Sequence, residues 1–240
     1  AADRRERSVY VAASLMFEER TVNIRRSLSL CVALVGVSCF AARAANAAPA
    51  IAQFDKAFAG INDYTCVLHV HEAKGTMTQD RVYQYEFMKP HYVKTLILDG
   101  DGKGSGGVWV GGDQVSGHQG GFLSGIHLKI GLHDPRAVSL RGVTIPEGLL
   151  PRIVDEYATI PGKLTQLEGG KVQGVDTDRL ELKVADPAAN YGVSDQILYM
   201  SKETHWPVRQ IMYAGSQIVL DENVTDLKTD VGLTQADFPF

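Results

Sequence analysis

The sequence predicts an α+β fold: one large curved antiparallel β-sheet, a half-barrel of about ten strands, with two or three helices as its lid. Three observations predict it. From residue 64 onward most apolar side chains recur at every second position, the period of a strand with one buried face. The alternating segments are short, and the turns between them are rich in Gly, Pro, Asn and Asp. Only two stretches keep helical spacing, which is too little helix to cover so large a sheet, so the sheet is expected to curl around a cavity.

The first 47 residues are set apart from that fold. Arg25-Arg26 precede an apolar run from Leu28 to Ala42, and Ala45-Asn46-Ala47 follows with small residues, the three parts of a secretory signal in order. The run falls short of the roughly 20 residues that a spanning helix needs. Residues 1–47 are therefore read as an N-terminal extension and signal peptide, and residues 48–240 as a single domain. The leader holds seven of the 24 basic and four of the 28 acidic residues, so the remainder carries 17 against 24 and a net charge near −7. That balance excludes nucleic acid as a partner, because phosphate binding needs a basic face. Cys31 and Cys39 fall in the leader, and Cys39 lacks the Leu-small-small triplet of a lipid-modified cysteine. Cys66 then stands alone, so burial and not a disulfide must hold the domain together. Alternating with Tyr64 and Leu68, it reads as a small buried hydrophobe.

Taken in order, Ala50–Ile61 places Ile51, Phe54, Phe58 and Ile61 on one helical face, and Gly60 to Asp63 ends it. Tyr64–Ala73 and Gln79–Met88 form a hairpin across Lys74-Gly75. Around the break at Lys89-Pro90, Tyr83, Tyr85 and Phe87 share one strand face, and Tyr92, Leu96 and Leu98 share a face of the next. Asp99 to Gly107 lacks the order of a phosphate loop, since Gly104 separates Lys103 from Ser105, and it reads as a flexible turn. Val108–Val110 and Gln114–His118 make the next hairpin. Phe122–Val143 combines apolar residues with glycine and reads as a flap, with a helix start at His133-Asp134-Pro135-Arg136. A second helix carries Leu149, Leu150, Ile153, Val154 and Tyr157 on one side. Strands resume at 163–167, 178–184, 196–200, 208–214 and 217–227, with turns at Gly169-Gly170, Asp186-Pro187, 202–204 and Gly215-Ser216.

Several short motifs carry a resemblance. A helix directly after the signal, the Tyr64-Thr65-Cys66 strand, Phe87-Met88-Lys89-Pro90, and Trp109 followed by His118-Gln119-Gly120-Gly121 are four of them. Tyr199 to Thr204 leading to Trp206-Pro207-Val208, with an end at Phe238, completes the set. Together they resemble the LolA/LolB superfamily of periplasmic lipoprotein carriers, including relatives known only as domains of unknown function. The resemblance spans roughly residues 50–240 and implies an antiparallel half-barrel that is lidded by helices and holds acyl chains.

The chemical alternatives are weaker. His69 and His71 share a strand face, but His91, His118, His127 and His133 come from separate segments without ligand spacing, so no metal is expected. No Gly-x-Ser-x-Gly elbow occurs, and Asp134, Glu147, Asp155 and Glu156 read as solvated acids. The expectation is an exported periplasmic monomer, not an enzyme and without cofactor, that binds lipid or lipoprotein acyl chains as a carrier or envelope sensor, with envelope membrane proteins as further partners. The alternatives are a structural envelope protein without ligand and a small exported enzyme. The cavity wall is expected at Tyr85, Phe87, Leu96, Trp109, Leu180, Leu182, Val208 and Ile218, covered by the second helix and the 120–143 flap. N-terminal sequencing of exported protein should find Ala48, or a residue within two positions of it, as the first residue. A chain that keeps residues 25–47 would contradict this reading.

Overall fold

A computed structural model describes residues 48–240; the expected signal peptide and its expected cleavage site lie outside the described residues. One open antiparallel sheet of 11 strands dominates them. In chain order these are β1 (Asp63–Lys74), β2 (Met77–Met88), β3 (Tyr92–Gly100), β4 (Gly106–Trp109), β5 (Gln114–His118) and β6 (His127–Gly131). They continue with β7 (Gly162–Val172), β8 (Val175–Val184), β9 (Asp195–Ser201), β10 (Pro207–Ala214) and β11 (Gln217–Thr229). The order across the sheet is β6-β5-β4-β3-β2-β1-β11-β10-β9-β8-β7, so each half of the chain builds a meander outward from the central β1–β11 pair. Two α-helices, α1 (Pro49–Ala59) and α2 (Leu150–Thr159), accompany the sheet. The predicted α+β half-barrel is the observed class, with one strand more than the ten anticipated.

The inner face follows from register. Directly opposed residues of an antiparallel pair share a face. Tyr64 opposes Phe87, Cys66 opposes Tyr85 and Leu68 opposes Tyr83, while Phe87 and Tyr85 oppose Val93 and Thr95 of β3. Val93, Thr95 and Ile97 are accordingly buried, and Leu96 and Leu98 point to the other face. Alternation alone reads β3 one residue out of phase, because its apolar residues occupy both faces. Two further expectations are corrected. The β7–β8 turn is Gln173-Gly174, both at positive φ, while Gly169-Gly170 forms a bulge opposite Thr177. No helix starts at His133: the Asp134 carboxylate instead takes the Arg136 backbone N–H at 3.0 Å and its guanidinium at 2.8 and 2.7 Å, which fixes a turn.

One end of the inner face is a packed core. Phe54 of α1 meets Trp206 edge-on at 5.1 Å, and Tyr64 lies 5.1 Å from Phe87 and 5.4 Å from Trp206. Leu150, Ile153, Val154 and Tyr157 of α2 join Leu180, Leu182, Leu198, Met200 and Val224 from the other half of the sheet. The Tyr64 hydroxyl accepts the Leu150 N–H at 3.2 Å, which ties the start of α2 to β1. The buried Asp63 carboxylate accepts backbone N–H groups of Val231, Gly232 and Leu233 and holds the C-terminal tail, whose Phe238 packs on Met88 and Val108. Cys66 lies in the core as expected, where burial pushes its thiol far above the ordinary range.

The carboxyl end of α1 is closed by a residue distant in sequence. The Lys89 ammonium donates to the carbonyls of Phe58 at 2.7 Å and Ile61 at 2.6 Å, and it stands 4.4 Å from the centre of the Phe58 ring. A cation there satisfies carbonyls that the helix leaves open and meets the negative end of its dipole. Replacing Lys89 by Met keeps the aliphatic stem and removes the charge. Denaturant unfolding should show Lys89→Met less stable by roughly 1–2 kcal/mol, the worth of charged hydrogen bonds at a helix end. An unchanged midpoint would contradict this role.

Candidate ligand cavity

Beyond the packed end, the inner face opens into a cavity of about 800 Å³. Its floor is the far end of the central strands: Leu68, Val70 and Glu72 of β1, Arg81, Tyr83 and Tyr85 of β2, Thr95 and Ile97 of β3, and Leu220 and Glu222 of β11. Ile153 and Glu156 of α2 form the side nearest the core. Ile126, Leu128 and Ile130 of β6 and its approach, and the segment from Pro135 to Gly148, complete the lining.

That segment works as a strap, and its anchors are polar. Ser139 donates to the Glu72 carboxylate at 2.7 Å, and the Leu140 N–H donates to the Gln79 side chain at 3.2 Å. Arg141 donates to the Ala73 carbonyl at 2.9 Å and to the Tyr191 carbonyl at 2.8 Å, which joins the β1–β2 hairpin to the β8–β9 loop across the open side. Glu147 accepts the N–H and hydroxyl of Thr144, both at 2.7 Å, and turns the chain towards α2. The glycine-rich stretches have a packing reason here: a Cβ on Gly120 would run into the Lys103 carbonyl, so the β3–β4 and β5–β6 connections can cross only without one.

The expected wall residues divide. Tyr85 lines the cavity. Phe87, Leu180 and Leu182 belong to the packed core beside it, and Trp109 packs against that core while its indole N–H donates to the Gly112 carbonyl at 3.0 Å. Leu96 faces away for the reason of register already given. Val208 is buried near the end of β10, where Gln173 reaches its carbonyl, and Ile218 is 41% exposed beyond a bulge that separates it from the register of Leu220. The wall is thus drawn from positions nearer the β1–β2 turn than alternation alone suggests.

The cavity also holds carboxyl groups that the sequence reading left on the surface. Leu220, Glu222 and Val224 alternate on the buried face of β11, so Glu222 takes a position where a hydrophobe is expected. It is 7% exposed. Glu222 opposes Val70 and lies diagonal to Glu72 on the neighbouring strand. Burial first, then the nearby Glu72 and Glu156, push the Glu222 carboxyl up to about 8. Burial also pushes Glu156 up to about 7, against the pull of Arg152. Burial raises Tyr83 and Tyr85 as well, so both stay neutral hydroxyl groups. The signal in the sequence was present: a Glu at the parity of Leu220 and Val224 in a strand with one buried face.

Comparisons with known proteins reach the fold. No family model matches the chain, and no curated protein matches it. Among solved structures, an uncharacterized conserved protein from Thermus thermophilus superposes with a TM-score of 0.51 at 11% identity, over 79% of this chain and 90% of that one. LolA superfamily proteins are among the structures it resembles. One from Nitrosomonas europaea aligns at 12% identity over 81% of this chain and 99% of its own, with a TM-score of 0.35. The Pseudomonas aeruginosa MucA/MucB complex aligns at 15% identity over 80% and 61%, with a TM-score of 0.47. At such identities the likeness is one of fold.

The buried carboxyls give the stability a defined pH dependence. An acid with a raised folded pKa keeps its proton in the folded chain after the unfolded chain has ionised, so stability falls as pH rises from about 4.5 through about 8. Glu222→Gln removes that contribution. Thermal or denaturant melts should show the variant more stable than wild type at pH 8, by roughly 1–3 kcal/mol, and close to it at pH 5. A variant that loses stability at pH 8 would show that the ionised carboxylate is needed for the fold.

Proposed function

We propose that this is an exported periplasmic protein that binds the acyl chains of a lipid or lipoprotein in the cavity, as a carrier or envelope sensor. The observation that carries the reading is the cavity itself. At about 800 Å³ it falls within the roughly 300–1,000 Å³ of small-molecule sites. Aliphatic side chains line it, Leu68, Val70, Ile97 and Leu220 from the central strands and Ile126, Leu128 and Ile130 from the β6 edge. Each methylene moved from water into such surroundings contributes about 0.8 kcal/mol, so a long chain gains several kcal/mol from burial alone.

The compartment rests on the three-part signal before Ala48. Among the described residues no helix is long and apolar enough to cross a membrane. Carriage and sensing both require the same first step, uptake of an aliphatic chain by the sheet.

The direct test is uptake of a neutral fluorescent alkyl probe by wild type and by Ile97→Arg and Leu220→Arg. Both side chains border the cavity, so a guanidinium there would displace the chain. Each variant should bind the probe at least about tenfold more weakly, the cost of setting a cation against buried methylenes. Phe122→Arg, at a fully exposed site, controls for general effects of added charge. Wild type that takes up no alkyl probe would overturn the proposal.

A further inference from the structure

The acyl-chain reading leaves one group unexplained. Glu222 is 7% exposed and lines the cavity, yet among the described residues its carboxyl has no hydrogen-bond donor and no counter-ion beside it. A purely aliphatic ligand gives no reason for a carboxyl at that position. Burying one without a partner costs stability, whereas Leu or Val at the same parity would not.

The charges around the cavity are arranged so that none of the cations offsets it. Arg136 is paired with Asp134, Lys103 with Asp99 at 2.9 Å, and Arg152 with Asp155 at 3.1 Å. Arg81 donates to the Asp101 carbonyl at 2.8 Å and to the Tyr83 hydroxyl at 3.0 Å. The groups that act on Glu222 are Glu72 from β1 and Glu156 from α2, both acids. Gln210, which opposes it on β10, has its amide beside the Tyr157 hydroxyl and brings no charge. Glu222 itself therefore has no cation beside it. Glu72 and Glu222 sit diagonally on adjacent strands, a separation of about 7 Å that one ammonium can bridge.

Building on the cavity reading, we infer that the ligand is an amphiphile whose aliphatic tail lies against β6 and β3 and whose head is a protonated primary amine held between Glu222 and Glu72. The amine supplies the donors and the charge that Glu222 lacks. A free fatty acid would bring a carboxylate to a site already ringed by carboxyls. The raised pKa of Glu222 adds a signature: at neutral pH the empty cavity keeps a proton on this carboxyl, and an arriving ammonium expels it.

Displacement of a neutral dye from the purified protein by dodecylamine, dodecanol and laurate tests the inference. Wild type should bind the amine at least about tenfold more tightly than the alcohol, and laurate more weakly than either, since a charged hydrogen bond is worth about that ratio. Glu222→Gln should bring the amine to about the affinity of the alcohol and leave the alcohol unchanged, while Glu222→Asp keeps the preference. Calorimetry in buffers of different ionisation enthalpy should record proton release on amine binding to wild type at pH 7 and none for Glu222→Gln. Laurate binding as tightly as the amine, or an undiminished amine preference in Glu222→Gln, would overturn the inference and leave the cavity reading standing. If none of the three displaced the dye, both would fall.

Discussion

The structure depends on a mismatch of lengths. The helix α1 has 11 residues and α2 has 10, so at a rise of 1.5 Å per residue each is about 16 Å long. The strand β1 has 12 residues and extends about 40 Å at 3.4 Å per residue, within a sheet of 11 strands. Two short helices cannot cover that face. They fill one end, where Phe54, Tyr64, Phe87, Trp206 and Tyr157 pack, and the other end must be covered by something thinner.

That thinner cover is the strap from Pro135 to Gly148, and its attachment explains why a cavity persists. A helix laid on the sheet would bring side chains down into the space. The strap is held at Ser139, Leu140 and Arg141 to the β1–β2 hairpin and to the Tyr191 carbonyl, and from there it runs on to Gly148 before α2. The packed end supplies the rigidity: Tyr64 fixes α2, Lys89 closes α1, and Asp63 holds the tail whose Phe238 seals the outer face. The cavity is thus a consequence of the fold's construction, and the buried Glu222 is the part of it that packing does not require.

The fold was legible because alternation is a direct imprint of a half-buried sheet. The two helices, the β1–β2 hairpin and the strands of the C-terminal half could be read from spacing alone. The site was less legible, and the reasons are specific. In β3 both faces carry apolar residues, so only pairing with β2 reveals that Val93, Thr95 and Ile97 point inward and Leu96 outward. A bulge before Leu220 puts Ile218 off the expected face. Which end of an apolar stripe is packed and which is open depends on where the helices lie, so Phe87, Leu180 and Leu182 became core while Tyr85 reached the cavity. The carboxyls escaped because an acid in a strand is ordinarily solvated. Glu222 is distinguished only by its parity with Leu220 and Val224.

The account's central claim is that the half of the sheet beyond the two helices, under the strap, is a ligand site. The most direct measurement is mass spectrometry, under native conditions and after solvent extraction, of protein purified from its host without detergent. The account predicts a bound amphiphile with an aliphatic tail, lost from Leu220→Arg. Protein that emerges empty, and stays empty when incubated with a total lipid extract of the same host, would contradict it.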